Sequence, residues 1–172
     1  LAQARGLSFS TDGFQRLQDE TGGCPVAVNI LLLMLSAGQP FQKPTIDAMR
    51  GKVGAYINET TLRLLDPKAQ KLLTELSLFG EFDQKLAEML TGDRGILSAL
   101  EALRHTAGLI QRKGDVWRIV DQRFLIPYLR QKILAEYPEE HIRSVHLAGG
   151  RWYALRQDFH NALYHYQQAD SR

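Results

Sequence analysis

The sequence holds a single cysteine, Cys24, among 172 residues. That excludes an internal disulfide and any zinc site built from several thiolates, and it predicts a reducing, cytoplasmic setting. An excess of charge of one sign is also missing: 21 Lys and Arg stand against 19 Asp and Glu, a formal net charge of +2. So weak a field gives no footprint of a chain devoted to nucleic acid, and any basic face has to be local. Long apolar runs are absent too. The most apolar stretch, residues 26–37, is interrupted by Asn29 and falls short of the roughly 20 residues that span a bilayer, so it reads as a core helix. No Gly-x-x-x-x-Gly-Lys-Ser/Thr loop occurs, which leaves no phosphate cradle for nucleotide hydrolysis. The opening residues show no start methionine, basic leader or cleavage site, and they read as the interior of a longer protein.

What is present is a composition of 44% apolar and 23% charged residues, that of a soluble globular chain, carrying mostly helical periodicity. Residues 1–56 predict a helical, lid-like bundle. Thr11 and Asp12 are N-cap types, Phe14 and Leu17 recur at helical spacing, and Gly22-Gly23 supplies a stop. Pro25 then fits the first turn of a centrally buried helix that Gly38 and Pro40 end. A third helix, capped by Thr45, runs through Ile46, Met49 and Val53. Its Gly51 and Gly54 each cost about 1 kcal/mol relative to alanine, so a separate helix from Tyr56 to Leu65 is allowed for.

Residues 57–136 predict a winged helix. Asp66-Pro67 restarts a helix whose stripe is Leu72, Leu73, Leu76 and Phe79. A short helix follows from Phe82 to Leu90, Thr91-Gly92-Asp93 turns, and Ile96, Leu97, Leu100 and Leu103 mark an amphipathic helix. The one convincing β-signal comes next, two short runs around Lys113-Gly114-Asp115 that predict a hairpin. Helical spacing returns with Phe124, Leu125, Tyr128, Leu129 and Ile133, where Pro127 either kinks the helix or lies in its first turn. Residues 137–172 predict the start of a tetratricopeptide-like array. Gly150, Tyr153, Ala162, Tyr166 and Ala169 fall at the offsets of such helix pairs, while His146 and Gly149 stand where the pattern has Trp and Leu. Leu32, Leu72, Leu76, Leu100 and Leu103 are expected in the core.

Little in the sequence points to catalysis. No nucleophile with a base and no carboxylate pair stands out, so an enzyme is not expected. His141 and His146, like His160 and His165, are five apart, whereas ligands on one helical face need three or four, and no metal is expected. Cys24 reads as a small buried hydrophobe, the aromatic group Trp152, Tyr153, Phe159, Tyr164 and Tyr166 as packing, and Arg123, Arg130 and Lys132 as the solvated face of one helix. The sharper alternative is DNA binding by the winged helix. Its recognition helix, residues 94–106, offers Arg94, Arg104 and His105, and the wing offers Arg112 and Lys113 as phosphate contacts. Against it, Glu101 sits mid-helix, and few side chains near the helix start can read base edges. A plain protein-interaction module built on helical repeats is a further alternative.

The order of patterns resembles the region between nucleotide-binding core and superhelical arm in signal-transducing ATPases with numerous domains, the STAND class. Within that class it is most similar to the large ATP-dependent LuxR-type transcriptional activators typified by the maltose regulator. The segment Asp19-Glu20-Thr21-Gly22-Gly23-Cys24-Pro25-Val26-Ala27-Val28 looks like the family's lid motif. Leu65-Asp66-Pro67, Phe79, Phe82, Leu97-Ser98-Ala99-Leu100-Glu101-Ala102-Leu103 and Trp117-Arg118 look like its winged-helix segment. The resemblance implies that the intact protein binds ATP or ADP, is at most a slow ATPase, and contacts DNA through a domain outside this segment. It also implies that this segment packs on the nucleotide core and on the helical arm of its own chain, with no tightly bound nucleotide, membrane or metal of its own. By motif match Pro25 would lie against the adenine, whereas read from the residues alone the glycines and proline are helix punctuation. The family often carries a His pair where Gln122-Arg123 stands, and Arg123 would substitute through charge at the phosphates.

Overall fold

The computed structural model describes residues 2, 6–105, 108–121 and 123–171. They are mainly helical, with one two-stranded antiparallel hairpin. The chain forms two compact units, one up to Leu62 and one from Arg63 onward.

The first unit holds three helices, α1 (Thr11–Thr21), α2 (Pro25–Ser36) and α3 (Lys43–Thr60). Ser10, rather than Thr11 or Asp12, caps α1, its side chain accepting from the Gly13 N–H at 3.2 Å. Gly22 at φ 58° ends the helix, a left-handed conformation that glycine enters without a Cβ clash. Pro25 opens α2 as expected. The helix is not buried all round: Ala27, Leu31, Leu32, Met34 and Leu35 are buried, but Leu33 is 48% exposed. Thr45 does not cap α3. It lies inside the first turn, buried, with its hydroxyl donating to the Pro40 carbonyl at 2.6 Å. Gly51 and Gly54 do not interrupt α3, since packing of Ile46, Met49 and Val53 outweighs their propensity cost. The helix therefore runs past residue 56, and only a 3-10 turn, Leu62–Leu64, follows it.

In the second unit, α4 (Pro67–Leu76), α5 (Gln84–Thr91) and α6 (Ile96–His105) precede β1 (Ile110–Lys113), β2 (Val116–Ile119) and α7 (Leu125–Glu136). Three helices, a hairpin and a helix form the winged-helix order. Asp66 caps α4 by accepting from the Lys68 and Ala69 N–H groups, both at 3.0 Å. Gly114, at φ 63°, occupies the turn between strands paired Ile110 to Ile119 through Lys113 to Val116. Trp117 also bridges Phe82, which ties the wing to the loop before α5. Pro127 lies in the first turn of α7, where its missing N–H leaves no bond unmade. Leu72, Leu76, Leu100 and Leu103 are all buried, as is Leu32 in the first unit.

Two further helices, α8 (Glu139–Leu155) and α9 (Phe159–Asp170), complete this unit. Gln157 turns the chain at φ 62°, and Asp158 caps α9 through the Asn161 N–H. A Cβ at Gly150 would sit 2.6 Å from Cε1 of Tyr166, so only glycine admits that ring between the helices. Among the described residues no helix is long and apolar enough to cross a membrane.

Candidate functional site

The residues that the sequence offers for DNA contact fold into a local charge cluster. Glu101, in the middle of α6, is the hub. Its carboxylate accepts from Arg104 Nε at 2.8 Å and lies 3.3 Å from His105 Nε2 and 3.6 Å from Arg112 Nη1. Arg112 is further occupied, its Nε donating to the Gly114 carbonyl at 2.7 Å and its guanidinium lying over the Trp117 ring. Three of the five candidate bases thus face one carboxylate. Arg94, in the turn before α6, and Lys113, at the end of β1, are exposed. Thr106, at the expected end of the recognition helix, lies outside the described residues.

The two residues implied in nucleotide contact fall in different units. Pro25 is the exposed first residue of α2, following Cys24, which is half-buried at the N-cap and not the fully buried hydrophobe expected. Arg123 lies in the turn before α7 rather than on that helix. Its N–H and that of Phe124 both donate to Asp121 Oδ1 at 2.9 Å. Gln122 lies outside the described residues.

A third place, which the sequence patterns do not single out, holds the densest polar chemistry. It is the joint between the winged helix and the pair α8–α9. Phe79, just after α4, is buried and fills the space beside Gly149, where a Cβ would stand 2.3 Å from its ring. Its ring stacks on His165 at 4.9 Å and 10°. His165 in turn meets His146 across the helix pair, Nδ1 to Nδ1 at 3.0 Å, so one imidazole must donate and the other accept. Burial, with His146 and Arg130 nearby, pushes the His165 pKa down to about 4, which keeps that ring neutral at pH 7.

Two acids, Asp83 half-buried and Glu75 buried, hold the same joint. Asp83 caps α5 through the Leu86 N–H and also accepts from Trp152 Nε1 at 2.8 Å and Arg156 Nη1 at 3.0 Å, both on α8. Glu75, on α4, is 1% exposed and meets His141 Nε2 at 2.8 Å, with Lys71 Nζ at 3.8 Å. Burial raises the Glu75 pKa, while His141 and Lys71 hold it back. On α7, Arg130 is no freely solvated charge, since its Nε donates to the Ser77 carbonyl at the end of α4 at 2.8 Å. Among the described residues no group of three or more His, Cys, Asp or Glu side chains could hold a metal ion.

The sequence carries only an indirect trace of this joint. His146 and Gly149, the two departures from the tetratricopeptide pattern, are the positions that meet His165 and Phe79. A large side chain at 149 would close the niche that Phe79 occupies. No protein-family model and no curated protein matches the chain.

Proposed function

We propose that the chain is a non-catalytic regulatory segment of an ATP- or ADP-binding transcriptional regulator of the STAND class, in which the winged helix and the first helices of a sensor arm move as one body. One observation supports the one-body part of this reading: at the joint the buried Phe79 is seated against Gly149 and His165, and the half-buried Asp83 is bonded to the buried Trp152 and the exposed Arg156. A flexible linker between two independent domains would instead show a wetter, smaller contact. Packed elements of this kind are bistable rather than soft, so a displacement at one end is delivered at the other. A nucleotide contact at Pro25, another at Arg123, each considered in its own unit, and a cytoplasmic placement belong to the same proposal, supported by the lid-like segment and the lone cysteine. DNA contact by this winged helix is disfavoured because Arg104, His105 and Arg112 share Glu101.

The test is calorimetric titration of ADP into the full-length protein and its Pro25→Ala variant, with circular dichroism to establish folding. The substitution removes a rigid apolar plate at an exposed helix start, so folding survives and ADP affinity falls. Equal affinities refute the lid reading. A second reading, a protein-interaction module, is favoured by Leu155, Phe159 and Leu163, which are 65%, 69% and 57% exposed and spaced four apart along the α8–α9 turn and helix.

A further inference from the structure

Where α7 meets α8 and α9, a cavity of about 190 Å³ opens to the surface. Its lining mixes apolar side chains, Leu78, Leu134 and Ile142, with polar ones, Arg130, His146, Tyr164 and Gln168, and Arg130, Leu134 and Tyr164 are exposed at it. No carboxylate lines it. Among the described residues no Asp or Glu pairs with Arg130, whose Nε is spent on the Ser77 carbonyl. A guanidinium anchored through Nε keeps its two terminal nitrogens as a fork, which matches the two oxygens of one carboxylate. The half-exposed Tyr164 ring is set edge-on to His165 at 5.2 Å and 89°.

The recess is therefore positive, free of acids and partly apolar. Its volume is below the roughly 300 Å³ at which pockets for drug-sized molecules begin, which limits an occupant to a few carbon atoms. We propose that this cavity binds a small aliphatic carboxylate. The carboxylate sits on the Arg130 fork, Tyr164 and Gln168 add donors, and the short hydrocarbon tail lies against Leu134 and Ile142. Because α7 belongs to the winged helix and α8 and α9 to the helix pair, such a ligand bridges both sides of the joint and tightens it. The positive field that attracts the anion also acts on His165, where Arg130 helps to disfavour a proton.

The probe is sodium butyrate, titrated into the 172-residue chain at constant ionic strength and followed by calorimetry and by the imidazole nitrogen signals of His146 and His165. Saturable binding in about the millimolar range is expected for so small a ligand. Arg130→Gln weakens it by about tenfold or more, and Tyr164→Phe by about threefold. Bound butyrate also raises the pH at which His165 takes up a proton, since its charge offsets that of Arg130. Arg130→Gln gives up the Ser77 contact as well, so Tyr164→Phe and Gln168→Leu, with folding checked by circular dichroism, decide the matter if that variant does not fold. The proposal is overturned by the absence of saturation at about 50 mM butyrate, by an equal response to chloride, or by folded variants that bind as wild type. Inorganic phosphate binding on the same residues without butyrate binding would overturn the carboxylate class.

Discussion

Phe79 and Gly149 are complementary: the ring of one fills the volume that a side chain on the other would need, with 2.3 Å between Phe79 Cε1 and a Cβ at 149. Gly149→Ala is therefore expected to destabilise the second unit by about 1–3 kcal/mol, although alanine is the better helix former. Gly51, mid-way along α3 with nothing within 4 Å of its Cβ position, supplies the contrast. Gly51→Ala should stabilise by about 0.5–1 kcal/mol. Adding Phe79→Leu to Gly149→Ala should recover part of the loss, giving a coupling above about 0.5 kcal/mol in a double-mutant cycle from urea unfolding. Additive effects would show that the two residues do not share space.

The His146–His165 pair makes stability depend on acidity. The folded pKa of His165, about 4, lies below its ordinary 6.5, so the unfolded chain binds the proton more readily. Stability contributed by the neutral ring is complete above pH 6.5 and is lost as pH falls toward 4. The loss approaches about 3 kcal/mol, at 1.36 kcal/mol per unit. Glu75 acts with the opposite sign, because its raised pKa makes the buried carboxylate cheaper once protonated. Chemical denaturation at several pH values between 4 and 7 should show a decline that flattens in His165→Phe. The same decline in that variant would assign it to other groups.

Asp83 serves three partners, the α5 N-terminus, Trp152 and Arg156. Asp83→Ala removes a helix cap, worth about 1 kcal/mol. It also strands the indole N–H of a residue 4% exposed, at a further cost of about 1–3 kcal/mol. Asp83→Asn keeps an oxygen for either role and should fall between alanine and wild type. Trp152 fluorescence during thermal unfolding reads both effects at the joint itself, and an unshifted midpoint in Asp83→Ala would refute its bridging role.

For DNA, weak and salt-sensitive binding is the expected outcome, since Arg104, His105 and Arg112 already face Glu101. Glu101→Gln should release part of that charge and raise non-specific affinity in a fluorescence-anisotropy titration. Nanomolar, sequence-selective binding by the unaltered chain in about 150 mM salt would instead favour the winged helix as a DNA reader.

Local chemistry was enough to determine most of the elements. Asp66-Pro67 caps and starts a helix wherever it occurs in such a context, Lys113-Gly114-Asp115 allows the positive φ of a hairpin, and leucine spacing places Leu72, Leu76, Leu100 and Leu103 inside. Elsewhere the sequence cues were not decisive: packing carried α3 through Gly51 and Gly54, and the capping role fell to Ser10 rather than Thr11 through a local bond to the Gly13 N–H. The joint could be decided only by the tertiary structure. His146 and His165 are 19 residues apart, Asp83 and Trp152 are 69, and no sequence period relates them. Helix periodicity relates side chains on one face, whereas the partner of His165 comes from the facing helix. The two places where the repeat pattern failed, His146 and Gly149, were the only local trace of that contact. A side chain that must accommodate a distant neighbour is chosen by the neighbour and not by its own helix.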